Sequence, residues 1–68
     1  MENWIKVFES GAEVRAEIVR GVLEEHGIQA VVLNKMETVY KLFGTYQVLV
    51  QRENSILAST IVQNEITF

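Results

Sequence analysis

Hydrophobic and polar residues alternate with a period of two in three stretches of this chain, a pattern typical of half-buried β-strands. The stretches are Trp4–Phe8, Ile28–Leu33 and Thr45–Gln51. We expect one face of the resulting sheet to pack against helices. That inward face would carry Ile5, Val7, Ile28, Ala30, Val32, Tyr46, Val48 and Val50.

Apolar residues recur at steps of three and four in a stretch that follows the first strand, which predicts an amphipathic helix. The helix would begin at Ser10, because Ser10 and Glu13 have the spacing of a capping box. It would end at Gly27, since glycine readily adopts the left-handed conformation of a helix C-cap. Its buried face would be made by Ala12, Ala16, Val19, Leu23 and His26, widened by Val22.

A second helix is predicted after the turn Arg52–Ser55, with Glu53 or Asn54 as candidate N-cap. Its buried stripe would be Leu57, Ala58, Ile61 and Val62. Residues Ile66–Phe68 are compatible with a fragment of a fourth strand or with a hydrophobic tail.

The segment from Asn34 to Gly44 has two readings. Apolar residues in it fit a short helix, yet the same residues fit a hairpin in which the neighbouring strands are longer. Because long connections in compact domains often carry function, we interpret the segment as an apolar, partly ordered flap.

The order of elements is β-α-β-β-α, with a short last strand as an option. We therefore predict an α+β fold, a ferredoxin-like two-layer sandwich in which both helices cover one face of the sheet. Its 68 residues allow a single domain, spanning 1–68.

The other face of the predicted sheet is unusually apolar. An open face normally alternates to polar residues, and a large apolar patch usually marks an interaction site. Either the flap covers this patch, or a second copy or another protein packs on it. If the first strand has the opposite phase, Trp4 and Phe8 join the core instead. The patch consists of Trp4, Phe8, Val31, Leu33 and Leu49.

The composition of the chain argues against several classes of function. The six basic residues are scattered and outnumbered by nine acids, so we expect no nucleic-acid binding. No apolar run approaches the length of a bilayer span, and the N-terminus lacks the apolar core of a signal peptide. We therefore expect a cytoplasmic protein without membrane contact.

His26 is the chain's only histidine, and the chain has no cysteine. A Cys/His zinc site is therefore excluded within one chain. Glu24, Glu25 and His26 are adjacent on a helix and point in different directions, so they do not converge on a metal. No serine has the context of a catalytic nucleophile. We interpret His26 as a helix-terminal group and expect no cofactor, no metal and no enzymatic activity.

One set of residues, spread over nearly the whole chain, carries a resemblance to a known family: Ala16, Leu23, Glu24, Gly27, Ile28, Gly44, Tyr46, Leu49, Val50, Ala58, Ile61 and Val62. On these residues the chain resembles the small bacterial family of putative prokaryotic signal-transducing proteins, a domain of unknown function. The resemblance implies a ferredoxin-like fold related to PII-type regulators and a regulatory role, but it supplies no catalytic residues. This chain has Arg52-Glu53-Asn54 where the family often has an aspartate after the third strand.

Two functional hypotheses result. The first is a non-enzymatic regulatory module that binds a protein partner or forms a homodimer through the apolar sheet face and the flap. The alternative is a sensor of a small ligand, a nucleotide or a metabolite, held between flap and sheet. Its ligand or flap residues would be Lys35, Met36, Tyr40, Lys41, Phe43 and Tyr46.

Overall fold

The computed structural model describes residues 3–35 and 44–68. The predicted order of elements is confirmed, and a short 3-10 turn at Arg52–Asn54 precedes the last helix. The elements are β1 (Trp4–Ser10), α1 (Glu13–Glu25), β2 (Ala30–Asn34), β3 (Tyr46–Gln51) and α2 (Ser55–Glu65).

The three strands form one sheet in the order β1-β3-β2, and β3 is antiparallel to both neighbours. The crossover through α1 therefore joins two strands that are separated by a third. This arrangement is compatible with an α+β ferredoxin-like fold. Residues 66–68 form no strand, so of the two readings of this end the hydrophobic tail is correct.

Both helices pack on one face of the sheet, as the alternation predicted. Ala16, Val19 and Leu23 of α1 are completely buried, and so are Val48 and Val50 of the central strand. Val7, Val32 and Tyr46 lie partly buried against this core. The other buried members of the core are Ile28, Ala30, Ala58 and Ile61.

The predicted position of Phe8 on the open face is wrong, because β1 contains a β-bulge. Lys6 is opposite Leu49 and Phe8 is opposite Val48, so Val7 is the extra residue. A bulge places two residues opposite one and shifts the alternation of the strand. Phe8 consequently packs against the core with Val7.

The two ends of α1 differ in how well the sequence predicts them. At the C-terminus, Gly27 has a φ of +80°, and the amide of Ile28 donates to the carbonyl of Leu23 at 3.0 Å. With the bond from the Gly27 amide to the Glu24 carbonyl, this is the Schellman motif that the glycine predicts.

The predicted capping box at the N-terminus of α1 is wrong. The helix begins at Glu13 with Ala12 in the N-cap position, and no side chain caps it. Ser10 is the last residue of β1, and its hydroxyl accepts a hydrogen bond from the Ala12 amide at 3.1 Å. Because Ser10 is paired with Tyr46 in the sheet and α1 begins only at Glu13, the serine lies too far ahead of the helix to cap it.

In α2, Ala58 and Ile61 are buried as predicted, whereas Leu57 is 55% exposed. Successive residues of a helix are about 100° apart, so Leu57 lies at the side of a stripe centred on Ala58. After α2 the chain turns back toward β1. The ring of Phe68 is 6.0 Å from that of Phe8, and the Arg15 guanidinium carbon lies 5.1 Å from the Phe68 ring centre.

Candidate interaction surface

The face of the sheet that turns away from the helices is called the open face below. The pairing registers assign its residues, because positions opposite one another share a face. Lys6, Leu49 and Val31 form one row, and Glu9, Gln47 and Leu33 form the next. Trp4 and Gln51 make a third row beside the first.

The apolar part of the open face centres on Leu49. Its side chain is only 6% exposed, although it does not belong to the core beneath the helices. Trp4, Val31 and Leu33 are half-buried on the same face. Four of the five residues predicted for this patch therefore share one face, and Phe8 is the exception.

A polar cluster adjoins these apolar residues. The Thr45 hydroxyl donates to Oε2 of Glu9 at 2.8 Å, and the Gln47 amide donates to the same oxygen at 3.2 Å. Lys6 Nζ lies 3.2 Å from Oε1 of Glu9. The hydrogen bond from Thr45, followed by those from Lys6 and Gln47, lowers the pKa of the Glu9 carboxyl below 4.5. Glu9 is therefore an oriented, ionised group beside the apolar patch.

Sequence reasoning missed the contact between Lys6 and Glu9. In a regular strand, residues three apart point to opposite faces. The bulge at Val7 adds one residue to the alternation, and this brings both side chains to the open face. Val7 is an ordinary strand residue, and the sequence carries no glycine or proline that would signal a bulge at this point.

His26 lies at the C-cap of α1, where the sequence predicted it, but its predicted place on the buried face of the helix is wrong, because the residue is exposed beyond the last turn. Its Nε2 is 2.8 Å from Oε2 of Glu65, the last residue of α2. Both side chains are partly exposed, and they tie the C-terminal ends of the two helices together. Sequence spacing gives no signal for this pair, because it depends on how α2 crosses the sheet.

The residues predicted to bind a ligand are only partly within the described structure. Lys35 is exposed at the end of β2, and its amide donates to the Thr45 carbonyl at 2.8 Å. Tyr46 is half-buried against the core on the helix side of the sheet. Met36, Tyr40, Lys41 and Phe43 lie outside the described residues.

The described ranges, 3–35 and 44–68, contain neither a metal-binding cluster nor a membrane-spanning helix. No three His, Asp or Glu side chains in these ranges come together in a way that could hold a metal ion. Neither helix has the length and apolar character needed to cross a membrane.

Comparison with known proteins gives one match. Neither the curated proteins nor the solved structures contain a match to this chain. A family model described as putative prokaryotic signal transducing protein matches residues 4–65, which include every strand and helix described above. That description suggests a role in signal transduction. The chain therefore belongs to the family of putative prokaryotic signal transducing proteins.

Proposed function

We propose that this protein is a non-enzymatic regulatory module that binds a protein partner through the open face of its sheet. The family description, which names signal transduction, supports a regulatory role. A module of this kind acts by changing which protein it contacts, so it needs a recognition surface rather than a catalytic centre.

The observation that carries the proposal is the make-up of the open face. Trp4, Val31 and Leu33 are half-buried around the nearly buried Leu49, on a face that neither α1 nor α2 covers. The cluster around Glu9 borders them. Protein interfaces typically combine an aromatic and aliphatic centre with a polar rim, and tryptophan is enriched at their energetic centres.

The fold keeps one possible serine and histidine pair apart. Ser10 precedes the N-terminus of α1, and His26 follows its C-terminus. A helix of this length separates the two residues by about 20 Å, far more than proton transfer between them allows. His26 is instead engaged by Glu65.

The test is affinity capture from lysate of the prokaryotic host, with matched surface variants. Val31→Lys places a charge in the open face, and Ile56→Lys places the same charge on the exposed side of α2, where Ile56 is 83% exposed. We expect the Val31 variant to lose the partner that the wild-type chain and the Ile56 variant retain. Circular dichroism verifies that both variants are folded.

Trp4 offers a second readout, because it is the chain's only tryptophan and lies on the open face. Its emission should shift to shorter wavelength when the captured partner is titrated in. A partner that binds the Val31 variant as well as wild type, with Trp4 emission unchanged, would show that another surface is used.

The ligand-sensor alternative stays a prediction, since four of its six residues lie outside the described ranges. A thermal-shift screen with nucleotides and metabolites distinguishes it from the proposed function. A ligand that binds only the folded state raises the melting temperature, whereas an interaction module without such a ligand shows no rise.

A further inference from the structure

The two outer strands of the sheet protect their edges to different degrees. β3 is central, so β1 and β2 each have one neighbour among the described residues. Natural proteins guard exposed strand edges with bulges and charged side chains, because unpaired backbone groups attract further strands. β1 has both devices, a bulge at Val7 and the charged residues Lys6 and Glu9.

β2 has neither device. Its five residues, Ala30–Asn34, pair with β3 in an unshifted register. They include no charged side chain, no proline and no glycine. Within the described ranges, the edge of β2 therefore keeps the regular, uncharged form that favours the addition of a strand.

The backbone of β2 shows which groups face this edge. The Lys35 amide donates to the Thr45 carbonyl, so residue 35 directs its hydrogen-bonding groups toward β3. In an antiparallel pair, alternate residues direct their amide and carbonyl to the same side. Val31 and Leu33 therefore bond toward β3, while Ala30 and Val32 present their amides and carbonyls at the outer edge.

We propose that β2 pairs with β2 of a second copy, antiparallel about a two-fold axis at Val32, to give a continuous six-stranded sheet. In this register Val32 is opposite the second copy's Val32, and their outward amides and carbonyls face each other. The whole length of β2 overlaps. Val31 would be opposite the second copy's Leu33, so the apolar patches of the two open faces would join.

Charge and symmetry favour a second copy over an unrelated strand. A two-fold pairing requires a strand that tolerates its own sequence opposite itself, and β2 has no charge to repel its copy. Among the described residues, the charges nearest to β2 along the chain are those of the two Lys35 side chains, one from each copy. In this register they lie six residues apart along the sheet, about 20 Å, which is well beyond the screening length of about 8 Å at physiological salt.

The first test uses the absence of cysteine from the chain. In a Val32→Cys variant of the paired dimer, the two Cα atoms at position 32 would lie about 5.5 Å apart, which is within the range that a disulfide spans. On air oxidation two thiols give up two electrons and two protons to oxygen and form one disulfide. We expect crosslinked dimer to form about tenfold faster than in an Ile56→Cys control, because pairing raises the effective concentration of the thiols.

The second test measures association without crosslinking. A short edge gives a small interface, so sedimentation velocity of the wild-type chain should show monomer converting to dimer between about 10 µM and about 1 mM. Val32→Pro removes an outward amide and leaves the bonds to β3 intact, so it should abolish this conversion. If the Val32→Pro variant does not fold, the crosslinking comparison still tests whether β2 pairs with a second copy.

Equal crosslinking of the Val32→Cys and Ile56→Cys variants, or a wild-type chain that stays monomeric over the whole concentration range, would overturn the proposal. The proposed pairing of β2 with a second copy does not rest on the protein partner proposed above. A monomer that still binds a partner protein through the open face would contradict only the pairing of β2 with a second copy. A dimer that binds no partner protein would contradict only the proposed function.

Discussion

The two faces of the sheet are built from alternate residues of the same strands, and they bury those residues by different means. Val48 and Val50 of β3 are completely covered on the helix face, where α1 and α2 supply close-packed hydrocarbon. Leu49, between them, is almost as well buried on the open face. Its neighbours in the same row are Lys6, which is exposed, and Val31, which is half-buried.

The difference shows that burial of one side chain does not identify a core. On the helix face, buried residues are surrounded by other buried residues. On the open face, one buried leucine is ringed by partly exposed apolar residues and a hydrogen-bonded carboxylate. We expect the first arrangement to carry most of the stability and the second to be free for recognition.

The strongest test of this comparison is Leu23→Ala on the helix face. Leu23 is completely buried, and its carbonyl also accepts the Ile28 amide in the cap of α1. Truncation of a fully buried leucine costs about 2–5 kcal/mol of unfolding free energy, because a cavity remains. Urea unfolding followed by circular dichroism measures the loss. A cost below about 1 kcal/mol would mean that the helix face is not the main core.

Leu49→Ala makes the same truncation on the open face. We expect a smaller loss, about 1–2 kcal/mol, because partly exposed neighbours can move into the space more easily than core residues can. Val31→Ala, at a half-buried position in the same row, serves as the control and should cost less than about 1 kcal/mol. If Leu49→Ala costs as much as Leu23→Ala, the two faces are equally tightly packed and the comparison fails.

Two glycines, one inside α1 and one directly after it, test how the backbone conformation at the end of this helix affects stability. Gly27 has a positive φ, and a Cβ there would meet no atom within 4 Å. Gly27→Ala should therefore cost about 1–2 kcal/mol from backbone strain alone. Gly21 lies inside α1 with equally open space around it, and Gly21→Ala should stabilise by up to about 1 kcal/mol. Changes of equal sign in the two unfolding midpoints would contradict this account of the cap.

These residues also show how far the sequence predicts the fold. The helix face is predictable because Ala16, Val19 and Leu23 keep helical spacing, Val48 and Val50 keep strand spacing, and Gly27 marks the end of α1. Each of these signals is local. A sheet and its covering helices follow from them by the rules of short, right-handed connections.

The open face is less predictable, because its composition depends on one bulge. The bulge at Val7 moves Phe8 into the core and brings Glu9 to Lys6. Bulges are set by pairing with another strand, and the residues of β1 alone do not encode this one. Likewise, the His26–Glu65 pair depends on the packing of two helices that are distant in sequence.

The smallest expected effect concerns the polar border of the open face. The hydrogen bond from Thr45, with those from Lys6 and Gln47, lowers the pKa of Glu9 in the folded protein below its usual 4.5. A carboxyl whose pKa is lowered by folding stabilises the folded state at neutral pH. That contribution is lost as the pH falls through the folded pKa. Glu9→Gln keeps an oxygen that can accept from Thr45 but removes the charge.

The Glu9 variant should therefore unfold at slightly lower urea concentration than wild type at neutral pH, and the gap should close as the pH falls through the lowered pKa of Glu9 in the folded protein. Glu25→Gln, at an exposed position at the end of α1, controls for the loss of one negative charge. A gap that persists unchanged at low pH would mean that Glu9 acts through shape rather than charge. The border of the open face would then be a packing feature and not an electrostatic one.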